Sequence, residues 1–340
     1  MRTFGFALLS LAIVVPVAAQ TLPFDNGDYV IGPSYQAAPE TALQSGVPEG
    51  TLHAFVMSST GSKFYPGIRR LENDVTKRRD AYGNRIAAQE PEQSAAAPYL
   101  RTVWVYVPKQ YVPGTAAPFM VVQDGYGYMR TMPRVLDNLT AAKRVPVMIV
   151  VFVDNGSGDA QGSERGLEYD TLSGRYSDFI ETEVLPRVMK EARVRLTADP
   201  EGRATMGASS GAACAFTMAW YHPERYRRVL SYSGTFVNQQ SPPNPETPRG
   251  AWEYHATIVP AAERKPIRIW MEVGEKDLHF DDPEETWHNW PDANNRMAAV
   301  LKAKGYDYQY VFAKGAEHVD PRVTEQTLPH ALEWLWRGWR

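Results

Sequence analysis

The sequence predicts an α/β fold with a mostly parallel central sheet flanked by helices. Three observations carry this. Along the C-terminal two thirds of the chain, short strand-like runs alternate with stretches of helical spacing, which is how strand–helix units read. Phe119 to Gln123 and Val147 to Val153 are short apolar runs, the latter unbroken, as in strands buried on both faces. A glycine–serine–glycine turn, Gly207-Ala208-Ser209-Ser210-Gly211, separates a strand-like segment from a helix-like one.

The elements follow in order. Arg2, the apolar stretch Phe4 to Val17 and the small residues Val17-Ala18-Ala19 read as an export signal over residues 1–19. That apolar stretch is short for a bilayer and no later segment approaches the length of a span, so the mature chain is expected to carry no membrane span. Residues 20–50 hold several Pro and Gly without periodicity and read as an extended arm. Residues 51–340 then form one catalytic domain, opening on the alternating strand Thr51 to Met57. An insert at about 58–98, polar and charged at its centre, reads as a long loop or a loop holding one short helix, and long loops often border active sites.

Arg101 to Val107 alternates and stops at Pro108, as a half-buried strand should. Phe179, Ile180, Val184, Leu185, Val188 and Met189 have helical spacing within Tyr176 to Ala192. Strands are predicted at Gly202 to Met206, Val229 to Tyr232, Ile267 to Val273 and Tyr308 to Phe312. Helices are predicted at Ala212 to Tyr221, from about Asn294 to Lys304, and at Leu328 to Trp336.

Composition excludes several classes. The net charge of −3 with both signs interspersed leaves no footprint for nucleic acid. The single cysteine, Cys214, rules out an intramolecular disulfide, so an exported chain would rest on its core. Cys214 falls on the apolar helix after the turn and reads as a core residue. Gly125-x-Gly127 fails as a dinucleotide fingerprint because Arg130 stands where the third glycine belongs. No metal-ligand spacing is present, and no cofactor is called for.

A G-x-S-x-G run between strand and helix is the nucleophile elbow of α/β-hydrolases, whose small residues let the chain turn sharply under the serine. Ser209 is therefore the candidate nucleophile. A serine hydroxyl needs a base, and the base needs an anion to orient it. In this fold both follow the serine, each after a late strand. Only His318 and His330 follow the last predicted strand, and His330 falls in the closing helix, so His318 is the candidate base. Asp277, in the turn after Ile267 to Val273, is the candidate acid, with Glu275, Asp281 and Asp282 as rivals. The oxyanion donors are expected to be the backbone N–H groups of Ser210 and Tyr126, with Gly125 or Gly127 as alternatives to the latter.

Softer signals surround these. Arg165 and Glu168 could pair to shape the cleft or form an ordinary surface pair. Trp287 and Trp290 could wall a sugar or aryl group, although aromatic residues serve packing first.

Several strings together resemble the putative-esterase family of carbohydrate esterase family 1 and its enterochelin-esterase-like relatives. They are Trp104-Val105-Tyr106-Val107-Pro108, Gln123-Asp124-Gly125, Arg165-x-x-Glu168-Tyr169-Asp170 and Glu183-Val184-Leu185-Pro186. The elbow and Asn294-Asn295-Arg296-Met297 with Leu301 complete the set. The resemblance runs from about Tyr99 to the C-terminus. It implies an α/β-hydrolase fold and a Ser209–Asp277–His318 triad. It spans feruloyl, acetylxylan and siderophore esterases and mycolyltransferases, so it implies an ester substrate, small or glycan-linked, without choosing one. The family often has Gly-Gly-His or Gly-His-Asp around the base, where this chain has Gly315-Ala316-Glu317-His318. An acyltransferase of the same family and a non-catalytic carbohydrate-binding relative are the alternatives.

Overall fold

The structure is a computed structural model, and it describes residues 22–70, 94–156, 164–240 and 243–339. The expected export signal at residues 1–19 lies outside them.

The chain enters on β1 (Gly27–Ile31), β2 (Thr51–Ser58), β3 (Ile68–Arg70), β4 (Ser94–Ala96), β5 (Leu100–Val107) and β6 (Ala116–Ala117). There follow β7 (Phe119–Gln123), α1 (Met132–Ala141), β8 (Ile149–Val153) and α2 (Glu164–Tyr169). Next, α3 (Arg175–Phe179) runs through a π turn at Ile180–Val184 into α4 (Leu185–Glu191). Then come β9 (Arg195–Leu196), β10 (Arg203–Ala208), α5 (Ser210–Tyr221), β11 (Arg228–Tyr232) and the single turn α6 (Val259–Ala261). The chain ends with β12 (Arg268–Lys276), α7 (Trp290–Ala303), β13 (Asp307–Glu317) and α8 (Pro321–Trp336).

Nine strands make one sheet in the order β1-β13-β12-β11-β10-β7-β8-β5-β2. All neighbours are parallel except β5 with β8 and β2 with β5. Period-two alternation sorts each strand's side chains between two cores. Val121, Val151, Val229 and Ile269 face the α5 and α7 layer, while Met120, Val122, Val150, Leu230 and Trp270 face α1 and α8. Both faces are covered, so the central strands read as apolar runs. α5 is buried through Trp220, and its many alanines let it lie close against β10 and β11. Each large apolar side chain fully buried in these cores contributes about 1.5–3 kcal/mol.

Three expectations change. The segment 20–50 is more than an arm, because β1 pairs in parallel with β13 and extends the sheet. It is pinned by Tyr308, whose hydroxyl donates to Asp28 Oδ1 at 2.8 Å. The insert contributes β3 and β4, which pair with each other, and its residues 71–93 lie outside the described ones. Helix α1 was unforeseen, and α8 starts at Pro321, well before Leu328. Both carry proline in the first turn, where no intrahelical N–H is needed. No helix among the described residues is long and apolar enough to cross a membrane.

Candidate active site

Ser209 sits between β10 and α5 with φ 55° and ψ −129°. A side chain in that region costs about 1–3 kcal/mol, and the surrounding chain must hold it there. Two bonds do so: Ser209 N–H donates to the Tyr232 carbonyl at 3.0 Å, and Thr235 N–H donates to the Ser209 carbonyl at 3.1 Å. Space requires glycine at 207 and is tight at 211. A Cβ on Gly207 would lie 2.3 Å from the carbonyl of Gly211, and one on Gly211 would lie 3.1 Å from Gln123 Cβ. Ser209 Oγ rests 3.3 Å from Thr235 Oγ1.

Asp277 and His318 each stand one residue past the end of neighbouring strands, β12 and β13. His318 Nδ1 and Asp277 Oδ1 are 2.5 Å apart. The Asp277 side chain is fully buried, and its Oδ1 also accepts from Leu278 N–H at 2.6 Å. The rivals lie elsewhere. Glu275 pairs with Lys314 Nζ and accepts from Gly315 N–H, while Asp282 faces His279 on the surface. His330 Nε2 meets Gln309 Oε1 inside α8's packing.

Ser209 and His318 are not hydrogen-bonded to each other. They are brought to the same rim through β11: its Tyr232 carbonyl anchors Ser209, and Ser233 Oγ accepts from Val319 N–H at 2.9 Å. The imidazole uses Nδ1 on Asp277, which leaves Nε2 as its second proton site. Trp290 packs edge-on against the His318 ring, with centroids 6.1 Å apart.

Ser210 is the first residue of α5, so its N–H has no intrahelical acceptor and lies at the positive end of the helix dipole. The loop after β7 does not deliver Tyr126 as expected. Asp124 adopts a left-handed conformation (φ 52°, ψ 46°), starting a tight turn over Gly125–Gly127. That turn sends the Tyr126 N–H to Asp154 Oδ1 at 3.1 Å, and the Gly127 N–H returns to the Asp124 carbonyl. Gly125 packs against Phe152 so closely that a Cβ would lie 2.5 Å from the Phe152 Cβ.

The sequence matches the family described as "Putative esterase" over residues 94–325. The chain belongs to that family. Among curated relatives it is 20% identical over 250 residues to the uncharacterized protein YbbA of Bacillus subtilis, covering 69% of this chain and 92% of the relative. The enterobactin esterase FES of Shigella flexneri superposes with a TM-score of 0.53 at 21% identity, over 70% of this chain. This chain spans 56% of that structure's length. A CE1 ferulic acid esterase from Anaeromyces mucronatus superposes with a TM-score of 0.54 at 14% identity, over 89% of this chain and 98% of that one. At these identities the likeness establishes the α/β-hydrolase fold, and family membership supports a carboxylic ester hydrolase.

The remaining sequence candidates are placed differently from expectation. Arg165 and Glu168 do not pair with each other in the cleft. Arg165 Nη2 binds Asp124 Oδ2 at 2.7 Å, and Glu168 forms a fully buried pair with Arg101 of β5. Glu168 also accepts from Tyr99 O–H at 2.8 Å and Gly156 N–H at 3.0 Å. Its three partners explain how a charge persists there. Trp290 is buried, so it supports His318 rather than walling a cleft. Trp287 is half-buried, with the Arg249 guanidinium over its ring.

A polar group behind the elbow was not legible as a unit in the sequence. Gln239 Nε2 donates to Asp170 Oδ2 at 3.2 Å and to Ser210 Oγ at 3.1 Å. Burial pushes the Asp170 carboxyl up to about 7, against the pull of Arg165. The Arg165–Asp170 string flagged this acid. Nothing around Gln239 did, since its loop has no periodicity.

Proposed function

We propose that this protein is an exported serine carboxylic-ester hydrolase working through an acyl-enzyme, with Ser209 as nucleophile, His318 as base and Asp277 as acid. The observation that carries the reading is the 2.5 Å contact between His318 Nδ1 and Asp277 Oδ1, held on the rim where the strained elbow presents Ser209.

Each step follows from the groups present. Ser209 Oγ leaves Thr235 and attacks the ester carbon, and its proton passes to His318 Nε2. The buried Asp277 carboxylate stabilises the imidazolium and fixes its tautomer. The carbonyl oxygen becomes an oxyanion held by Ser210 N–H and, since Tyr126 N–H is engaged by Asp154, by Gly125 N–H. Collapse breaks the bond to the alcohol oxygen, which takes the proton back from His318. Water, activated by the same imidazole, then releases the acid and restores Ser209.

The substrate class is an aryl, acetyl or sugar-linked ester or a siderophore-type ester. The names of the similar solved structures, an enterobactin esterase and a ferulic acid esterase, support that range. Residues 1–19 would direct export to the periplasm or medium and be removed. The reading is tested by turnover of short aryl esters. Ser209→Ala should abolish it, and wild-type rates in that variant would overturn the proposal.

A further inference from the structure

The two oxyanion donors assigned above, Gly125 N–H and Ser210 N–H, come from turns far apart in the chain, so some other element must fix their spacing. The short helix α2 reaches both. Its Arg165 grips the Asp124 carboxylate as a fork: Nε lies 3.2 Å from Oδ1 and 3.1 Å from Oδ2, and Nη2 donates to Oδ2 at 2.7 Å. Tyr169, one turn further on, accepts from the Asp124 N–H at 3.2 Å, and Asn155 Nδ2 donates to Asp124 Oδ1 at 2.7 Å. Asp124 is the left-handed residue (φ 52°) that opens the turn carrying Gly125. Residues other than glycine seldom adopt that conformation, and these bonds hold it in place.

The far end of α2 reaches the other donor. Asp170 N–H continues the helical ladder to the Gly166 carbonyl at 2.9 Å. Asp170 Oδ2 accepts from Gln239 Nε2 at 3.2 Å, and the same Nε2 donates to Ser210 Oγ at 3.1 Å. Asp170 and Ser210 are both buried, so water competes little for these bonds. The Asp124 carboxylate also lies against the first turn of α5, where a Cβ on Gly211 would come within 3.3 Å of its Oδ2. α2 is itself anchored from below through the buried Glu168–Arg101 pair and the bonds Glu168 accepts from Tyr99 and Gly156.

We infer that α2 is the brace of the oxyanion hole: Arg165, acting through Asp124, and Asp170, acting through Gln239, are positioning residues that fix the distance between the Gly125 and Ser210 N–H groups. This rests on the hydrolase reading above, which supplies the two donors. None of the bracing side chains takes part in bond making. Such donors work because they are already aimed when charge develops, and a displacement of ~1 Å costs about 100-fold. Every ester offers the hole the same carbonyl oxygen. A brace therefore acts on all esters alike, whereas a contact with one part of a substrate does not.

The test uses two variants. Arg165→Lys keeps the charge and loses the fork. Gln239→Ala cuts the tie to Ser210 at a half-buried loop residue. Rates are counted per site titrated with a fluorophosphonate, so unfolded protein is not scored. In each variant kcat/KM should fall about 10–100-fold, by the same factor for phenyl acetate and for ethyl acetate. The inhibition constant of 1,1,1-trifluoro-4-phenylbutan-2-one, whose adduct with Ser209 carries the oxyanion, should rise by that factor too. Both ties serve one spacing, so the double variant should fall no more than about threefold below the slower single variant. Should Arg165→Lys give no titratable sites, Gln239→Ala decides alone.

Wild-type rates in Gln239→Ala would overturn the brace. So would a loss confined to one ester, lowered turnover with an unchanged inhibition constant, or losses that multiply in the double variant. Each of these, with the wild type active and Ser209→Ala inactive, leaves the hydrolase reading standing. A wild type that hydrolyses neither ester and takes up no fluorophosphonate sinks both.

Discussion

Replacing Ser209 by glycine and, separately, by alanine isolates the strain at the elbow. Both variants lose the hydroxyl and its contact with Thr235, so both are expected to be inactive and to differ only in the Cβ. At φ 55° and ψ −129° that Cβ is what the backbone resists. Relief should favour glycine by about 1–3 kcal/mol, and glycine's greater freedom in the unfolded chain returns about 0.5–1 kcal/mol. The net is about 0–2.5 kcal/mol in favour of glycine. For a chain of this size, at ~2.1 cal/mol/K of unfolding entropy per residue, the glycine variant should melt up to about 3.5 °C above the alanine variant. Differential scanning calorimetry under matched conditions reads this directly. An alanine variant more stable than the glycine variant would show that the backbone at 209 is not strained and would refute the argument.

Two further outcomes follow from groups near the site. Glu168→Gln removes one member of the buried pair with Arg101 and should cost about 3–5 kcal/mol in urea unfolding, because an uncompensated guanidinium is left inside. A loss under about 1 kcal/mol would mean the pair is not closed off from water. The folded-state value of Asp170, raised to about 7, sits above that of an unfolded carboxyl. Its contribution is therefore complete below about pH 4 and lost as pH rises towards about 7. Relative to Asp170→Asn, the wild type should lose stability across that window, on the order of a few kcal/mol. A pH-independent difference between the two proteins would show that Asp170 ionises normally.

Much of the fold was legible because its strands are short apolar runs bounded by Pro, Gly or charge. The alternation in Arg101 to Val107 and the unbroken run at Val147 to Val153 fix which strands are half-buried and which are central. The meeting of Asp277 with His318 was legible for a related reason: each is the first suitable residue beyond a late strand. Strand β1 was not, because Gly-Asp-Tyr-Val-Ile is a half-exposed edge whose pattern arises from pairing with β13. The direction of the Tyr126 amide depends on a positive φ at Asp124, a non-glycine residue, which no local pattern announces. Arg165 and Glu168 lie three apart and invite a mutual pair, but each found a stronger partner from a distant segment, Asp124 and Arg101. Long-range partners of that kind are chosen by packing, not by spacing.

The central claim is that Ser209 is activated by His318, and one labelling experiment addresses it most directly. The purified protein would be treated with a fluorophosphonate and the adduct mapped by peptide mass spectrometry. A single adduct on Ser209 that disappears in His318→Ala is the expected result. An adduct elsewhere, none at all, or undiminished labelling of Ser209 without the histidine would contradict it.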